Sequence, residues 1–246
     1  MLSFLKDHPF AVEAFFENSI VLTFAFPKEE LEHLIPECLK LDIFNDQWAF
    51  IAVALVQTKD LRPKGFPKFM GNNFMLIGYR LFVRYTNTAG KTLRGLYILK
   101  SETDKRLMGF LGKIFTRYDY ATTDIQQTRI DNSLEVRSAG SGLFIRLETG
   151  NEVIHLPKKS PFADWKEARR FAGPLPFTFT YNPKTKKVLI IEGVRKNWVP
   201  QPIKVIDYGI PFLNSLGLNR AILANAFIIY NTPYYWKKGR TELWSH

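Results

Sequence analysis

Strand-length segments rich in β-branched and aromatic residues recur along the chain, separated by short turn-forming sequences. The segments SIVLTFAF (19–26) and QWAFIAVALVQT (47–58) have the length and composition of buried strands. YRLFVRYT (79–86) and TLRGLYILKS (92–101) flank the turn-rich NTAGK, which predicts a hairpin. Because strands joined by such short connections pair antiparallel, the pattern predicts an α+β, β-dominated chain built on an antiparallel sheet.

Two further hairpins are predicted from the same signals. LEVRSAGSGLFIRLET turns at its glycines, 140–142, and FTFTYNPKTKKVLIIEGV turns at 182–185, where Asn-Pro favours turn initiation. The C-terminal stretch NRAILANAFIIYNTPYYW is ambiguous between a buried helix to about Ile229 and a strand, because periodicity does not separate them. We favour a strand after Phe227.

Three segments between the strands have helical signals. PKEELEHLIPE begins at Pro27 with acidic residues in its first turn, and residues 104–115 carry apolar residues at three- and four-residue spacing. The third segment follows Ser160, a good N-cap, has Pro161 at the first helical position and ends at Gly173. We therefore expect a few helices flanking the sheet.

Composition favours one globular domain, 1–246. The 246 residues are 46% hydrophobic, which suffices for a sizeable core, and no repeat or flexible linker divides them. Cys38 is the only cysteine, so no disulfide framework forms and a cytoplasmic location fits. No apolar run is long enough to cross a bilayer and the N-terminus lacks a signal sequence, so we expect no membrane partner.

The net charge of +11 raises an anionic small molecule or a nucleic acid as a partner. The basic residues are spread along the chain without a block of five or six, and no RNA-recognition or zinc-knuckle pattern occurs. A nucleic-acid-binding module is therefore kept only as a second alternative.

The motifs of common enzyme classes are absent from the sequence. It has no Gly-x-Ser-x-Gly elbow, Gly-rich phosphate loop, dinucleotide fingerprint or His-Glu-x-x-His helix, and its four histidines lie far apart. We accordingly expect no cofactor and no metal site.

The stretch HLPKKSPF raises the question of a reactive lysine. Two neighbouring ammonium groups disfavour each other's charged form, so Lys158 or Lys159 could lose a proton and attack a carbonyl. The alternative is a solvated loop before a helix, which is the ordinary setting of a lysine pair.

The order of several motifs resembles a bacterial family of unknown function in the acetoacetate decarboxylase-like superfamily. The motifs are YRLFVRYT, RGLYILKSETD, GKIFTRYDYA and FAGPLPFTFTY followed by IEGVRKNWVP, and the resemblance covers residues 19–205. It implies an antiparallel β-barrel or cone-like sheet with an internal ligand cavity and a few flanking helices.

The same resemblance implies where a catalytic lysine pair of the decarboxylases would lie. That place falls in GKIFTRYDYA, where this chain has Tyr118 and Asp119, while Leu76 stands where a glutamate often precedes the arginine of the strand. The later Lys158 and Lys159 are then a look-alike. Lys113 remains an outside candidate for a nucleophile, because a lysine within a helix ordinarily has a solvated head.

The interior of such a cavity could present Arg80 and Tyr118, with Glu192 or Arg195. Arginine offers a planar fork for a carboxylate, so a buried Arg80 requires either an anionic ligand or an acidic side chain. Alternatively, Arg80 points outward beside Arg84 or pairs with Glu192, and Tyr118 only fills the core.

Together with these residues, the resemblance implies a cavity-containing protein that binds a small apolar or carboxylate-bearing molecule, without the Schiff-base lysine pair of true decarboxylases. The first alternative is an enzyme acting on a keto acid or related carbonyl compound. Besides the small-molecule ligand, further copies of the same chain are left open as partners in a homo-oligomer.

Overall fold

The computed structural model describes residues 6–149, 154–196, 198–218 and 220–244. The described residues are mostly strands with few helices. The strands are β1 (Val12–Pro27), β2 (Lys40–Leu41), β3 (Trp48–Pro63), β4 (Asn72–Thr86), β5 (Thr92–Thr103), β6 (Tyr120–Thr122), β7 (Gln126–Ile130), β8 (Ser133–Ser138), β9 (Leu143–Glu148), β10 (Phe177–Asn182), β11 (Lys187–Arg195), β12 (Gln201–Pro202), β13 (Lys204–Gly209), β14 (Ile222–Trp236) and β15 (Arg240–Leu243). The α-helices are α1 (Arg106–Phe115), α2 (Trp165–Ala172) and α3 (Pro211–Ser215).

The larger sheet has eleven strands, and seven of them form a ring. Neighbours in the ring follow the order β14, β1, β3, β4, β5, β10 and β11, and β11 pairs again with β14 through Gly193 and Trp236. Most pairs are antiparallel, as predicted, but β5 pairs in parallel with β10 and β6. The expectation of a purely antiparallel sheet is therefore wrong: the long excursion between β5 and β10 returns the chain in the same direction.

The smaller sheet has four strands in the order β13, β9, β8 and β7. Its apolar face, with Leu134, Val136 and Ile145, belongs to one buried cluster with Ile20 and Leu55 of the ring. The smaller sheet thus covers the outer face of the ring strands β1 and β3.

The predicted hairpins are confirmed, because β4–β5, β8–β9 and β10–β11 each pair across the expected turn. The ambiguous C-terminal stretch forms a strand from Ile222 and not a helix. It pairs with β1 along most of its length, an interaction between distant segments that the local sequence does not reveal.

Two helix predictions need correction. The segment from Pro27 forms two short 3-10 turns, Lys28–Glu30 and Glu32–Leu34, because prolines bracket too few residues for a stable α-helix. The third helix begins at Trp165, not near Ser160. Asp164 caps it by accepting from the Glu167 amide at 2.7 Å, while the Glu167 carboxylate accepts from the Ala163 amide, one residue before the cap. This variant of the capping box sets the start of the helix.

The two ends of the ring can be told apart by the helices beside them. At one end α2 packs against a cluster of aromatic rings, in which the ring centres of Phe50 and Phe162 lie 5.4 Å apart in a stacked arrangement. At the other end β3 ends, β4 begins and β5 ends, as the pairs of Leu61 with Asn72 and of Leu76 with Thr103 show. We call these the α2 end and the α1 end, because α1 directly follows β5. None of the helices described here has the length and apolarity to cross a membrane.

Candidate functional site

A cavity of about 400 Å³ lies within the ring, and all seven ring strands contribute lining residues. Its wall is mainly apolar and aromatic. The cations that line it are Arg62, Arg80 and Arg195, and no lysine, aspartate or glutamate is found among its described lining residues. The cavity therefore combines an apolar body with guanidinium groups, and it offers no lysine for a Schiff base within the part of the chain that the structure describes.

Strand alternation places Arg80 in this cavity. Leu76, Arg80 and Phe82 share the cavity-facing side of β4, whereas Ile77 and Tyr79 pack in the core on the other side. Protein atoms surround the Arg80 side chain on all sides. Its remaining accessible surface faces the cavity and not the outer solvent. The alternative in which Arg80 points to the outer surface does not occur.

A β-bulge shapes the wall beside Arg80. Tyr79 pairs with Lys100, but Arg80 pairs with Ile98, so β5 carries one extra residue at Leu99. Because of the extra residue, Ile98 and Ser101 both face the cavity although they are three positions apart. Ile98, the pairing partner of Arg80, thus forms part of the wall beside the Arg80 side chain.

Glycines make room for two polar side chains of the cavity. A Cβ atom at Gly78 would lie 2.9 Å from Arg80 Nε, and one at Gly193 would overlap the hydroxyl of Tyr234. Arg80 therefore folds back over the backbone of its own strand, and Tyr234 lies over that of β11.

Arg80 and Arg195 differ from the other arginines near the ring in their partners. Arg62 pairs with Glu13 at 2.7 Å, but neither Arg80 nor Arg195 has an ion pair among the described residues. Arg195 donates to the Leu175 carbonyl at 2.8 Å. Burial lowers the pKa of both guanidinium groups, and the nearby charge of Arg195 lowers the pKa of Arg80 further. Arginine nevertheless stays charged in proteins, so the cavity holds two cations without a carboxylate.

Arg84 is on the same face of β4 as Arg80 but belongs to a structural network at the α2 end. Asp42, which has no exposed side-chain surface, accepts from Arg84 Nε at 2.5 Å and from Arg94 Nε at 2.7 Å. Arg94 also donates to the Phe171 carbonyl at 2.9 Å. Two arginines four residues apart therefore have opposite environments: Arg84 is paired and Arg80 is not.

Tyr118 and Tyr120 reach the cavity through the segment after α1. Thr116 ends the helix by bonding to the Gly112 carbonyl, its hydroxyl accepts from the Tyr118 amide at 3.2 Å, and the Ser101 amide bonds to Asp119. The exposed Asp119 alternates with the two inward tyrosines, whose rings lie 6.3 Å apart. Burial raises the pKa of both phenols, of Tyr120 to about 12, so both hydroxyls stay protonated and can donate to an anion.

The structure thus brings Arg80, Tyr118 and Arg195 together and leaves two candidates outside. Glu192 is on the opposite face of β11 and its carboxylate pairs with Lys237 at 2.8 Å. Lys113 is exposed on α1, and neither residue lines the cavity. Lys158 and Lys159 are exposed as expected.

Sequence reasoning missed Tyr120 and Tyr234 as lining residues. Tyr120 follows Tyr118 at a spacing of two, which is the signal that both share one face. Tyr234 lies in the stretch whose secondary structure was ambiguous, so no local pattern could have assigned its face.

His8 lines the cavity, and its buried Nε2 atom has no hydrogen-bond partner among the described residues. Burial lowers its pKa to about 4. In the unfolded chain His8 takes up a proton near pH 6.5, whereas in the folded protein it does so only near pH 4. Protonation of His8 therefore costs no stability above pH 6.5, and it destabilises the folded protein increasingly as the pH falls towards 4.

We therefore predict that His8→Gln reduces the acid sensitivity of folding. Wild type should lose up to about 3 kcal/mol between pH 6.5 and 4 from this group alone, and the variant should not. Thermal melts across that range measure the difference, with the exposed His33→Gln as control. Parallel pH profiles of wild type and His8→Gln would contradict the assignment.

Solved structures with the same fold are acetoacetate decarboxylase-like proteins. Acetoacetate decarboxylase from Legionella pneumophila has a TM-score of 0.64 and 9% identity, over 95% of this chain and 88% of that chain. An acetoacetate decarboxylase-like enzyme from Sphingomonas wittichii RW1 has a TM-score of 0.60 and 11% identity, over 97% and 95%. The enduracididine biosynthesis enzyme MppR, solved with pyruvate, has a TM-score of 0.58 and 10% identity, over 96% and 92%. At these identities the likeness shows the fold alone.

No curated protein matches the chain significantly. One family model, described as an uncharacterized conserved protein, matches residues 14–219 and so covers most of the sequence. The chain therefore belongs to the DUF2071 family, and it has the acetoacetate decarboxylase-like fold.

Proposed function

We propose that the protein binds a small carboxylate-bearing molecule with an apolar body inside the ring. The observation that carries the proposal is the pair Arg80 and Arg195, which face the cavity without a carboxylate partner among the described residues. A guanidinium group kept from bulk water without a counter-charge costs several kcal/mol. A ligand carboxylate offsets this cost reversibly.

The tyrosines support an anionic group at the same place. Burial lowers the pKa of Arg80, and Tyr234, Tyr120 and Tyr118 lie near enough to its guanidinium group to offset part of that shift. Protonated phenols donate hydrogen bonds, so a carboxylate there would meet donors from several directions and no competing acceptor charge.

The rest of the wall favours an apolar body. Phe16, Leu76, Phe82 and Ile98 line the cavity beside Arg80, and Leu111 and Phe115 approach it from α1. Ligand pockets of this kind combine a largely hydrophobic lining with a few polar groups that fix orientation. The lining thus fits the hydrocarbon or aromatic part of an amphipathic acid.

Thermal melts with matched acids and alcohols test the proposal. Octanoate and 3-phenylpropanoate are compared with octanol and 3-phenylpropanol, since each acid differs from its alcohol mainly at the anionic group. We expect an apolar acid to raise the melting temperature and its alcohol to have little effect, because a bound ligand stabilises only the folded state. Equal stabilisation by acid and alcohol would contradict a role for the arginines.

An enzyme acting on a keto acid or related carbonyl compound is the second candidate. Structural neighbours include acetoacetate decarboxylases and MppR, which was solved with pyruvate, and the cavity holds phenol groups that could donate a proton. Because no lysine is among the described lining residues, we propose that this reaction would proceed without a Schiff base.

Borohydride trapping tests that last point. Incubation with pyruvate or acetoacetate and borohydride should leave the mass of the protein unchanged, since an imine must form before it can be reduced. A mass increase located on any lysine, Lys113 included, would show covalent carbonyl chemistry and overturn the non-covalent account. Lys158→Gln/Lys159→Gln should behave as wild type in both assays.

A further inference from the structure

The loop between β3 and β4 exposes large apolar side chains. Residues 64–70 are all exposed, and Phe69 keeps 88% of its surface in solvent. Phe66 and Met70 are about half exposed in the same loop. A cluster of this kind on a folded protein marks an interaction surface more often than a lone exposed residue does.

Helix α1 exposes a second apolar pair. Leu107 and Phe110 are 55% and 62% exposed, whereas Met108 is buried against the cavity. The helix is thus apolar on its cavity-facing side and also on part of its outer side. Core packing explains only the first of these.

Both segments lie at the α1 end of the ring. The loop joins the end of β3 to the start of β4, and α1 follows the end of β5 at the same edge, where Leu76 pairs with Thr103. Residues next to each segment, Pro63 and Asn72 in one case and Met108 in the other, line the cavity. The exposed apolar groups therefore surround that end of the cavity.

Cations accompany these apolar side chains. Lys64 and Lys68 are in the loop, and Lys105, Arg106 and Lys113 are exposed on or beside α1. No aspartate or glutamate occurs in 64–71 or in 105–118. The Lys64 ammonium lies 4.4 Å from the centre of the Tyr235 ring, and none of the other four cations forms an ion pair within the described residues.

We propose that this surface, formed by the loop 64–70 and the exposed side of α1, docks on an anionic lipid bilayer. Aromatic and aliphatic side chains that enter the interface, together with lysines and arginines that meet lipid phosphates, are the two components of reversible surface binding. Neither segment spans the bilayer, so the inference concerns contact with the surface only. It revises the expectation that the protein has no membrane partner.

Charge argues against a second copy of the chain as the occupant. A two-fold interface places the same patch of both subunits face to face, which would bring two sets of these five cations together. Like charges without intervening acids disfavour such a contact. A lipid surface supplies the complementary charge.

This inference goes beyond the proposed ligand binding and does not depend on it. If both hold, docking places the α1 end of the cavity at the interface where amphipathic acids partition. Arg80→Met should strongly weaken acid binding and leave vesicle binding unchanged, so the two proposals fail separately.

Vesicle flotation tests the docking surface. Wild type should float with vesicles of phosphatidylcholine and phosphatidylglycerol and much less with phosphatidylcholine alone. Lys68→Glu/Lys113→Glu should weaken binding by roughly 25-fold or more, because each lysine near an anionic surface contributes about fivefold. Phe69→Ala should weaken it roughly tenfold, since the ring no longer enters the interface.

Matched variants control for charge and apolar surface elsewhere. Lys158→Glu/Lys159→Glu makes the same change in net charge at exposed positions before α2, and Ile130→Ala removes a side chain that is 61% exposed on β7. Both should float as wild type does. Equal binding to neutral and anionic vesicles, unchanged binding of the surface variants, or a dimer that Phe69→Ala dissociates would each overturn the proposal.

Discussion

Arg80→Met is expected to reduce the affinity for carboxylates by roughly 30-fold to 5000-fold while leaving the melting temperature equal or higher. Removing one partner of a buried charge pair typically costs 2–5 kcal/mol of binding free energy, which corresponds to about that loss. Without ligand, methionine removes an unpaired guanidinium group from the cavity and fills much of its volume. Binding and stability should therefore change in opposite directions.

Arg84→Met is the matched control for this variant, since it makes the same substitution four residues along the same strand face. Arg84 is paired with the buried Asp42, so its loss should destabilise the fold by about 1–2 kcal/mol and leave acid binding intact. This value lies below the roughly 3–5 kcal/mol that breaking a buried ion pair costs, because Arg84 is partly exposed and Arg94 still compensates Asp42. A clear loss of stability in Arg80→Met would instead indicate a structural acidic partner for Arg80.

Asp42→Asn is expected to destabilise the protein by about 3 kcal/mol. The carboxylate has no exposed surface and holds arginines from β4 and β5, and Arg94 in turn bonds to the end of α2. Breaking a buried ion pair costs about 3–5 kcal/mol, and partial exposure of both arginines places this case at the lower limit. Urea unfolding of wild type and variant measures the change in the free energy of unfolding.

Glu192→Gln is the control for Asp42→Asn, because it neutralises a carboxylate whose partner Lys237 is about half exposed. Exposed ion pairs contribute about 0–1 kcal/mol, so little change is expected. If both variants were equally stable, the network around Asp42 would have no special structural role.

The sequence predicted those parts of the fold that depend on neighbouring residues. The hairpin β4–β5 carries its turn residues and its alternation within one short segment, so its pairing follows from local rules. The alternation also placed Arg80 and Arg84 on one face, but it left open whether that face was turned inward. The end of α2 at Gly173 was predicted for the same reason, since glycine and proline stop helices locally.

Features that depend on distant residues escaped prediction. The parallel pair of β5 and β10 exists because the chain returns after more than seventy residues, and nothing in either strand encodes its direction. Glu192 and Arg195 are three residues apart on β11 and so face opposite sides; only the closure of the ring decides which side is inward.

The start of α2 shows two local signals in competition. Ser160 with Pro161 and Asp164 with Glu167 both qualify as helix starts, and the second pair satisfies two backbone amides reciprocally. Ser160 instead accepts from the Phe162 amide in a turn. The prediction rested on the first signal alone and missed the second, an aspartate N-cap with a glutamate three residues later.

A crystal structure of the protein soaked with the acid that raises its melting temperature most tests the central claim directly. The account predicts the carboxylate within the ring, hydrogen-bonded to the guanidinium groups of Arg80 and Arg195, with its apolar part against Phe16 and Leu76. An acid bound elsewhere, or a carboxylate of the protein itself paired with Arg80 in the cavity, would contradict it.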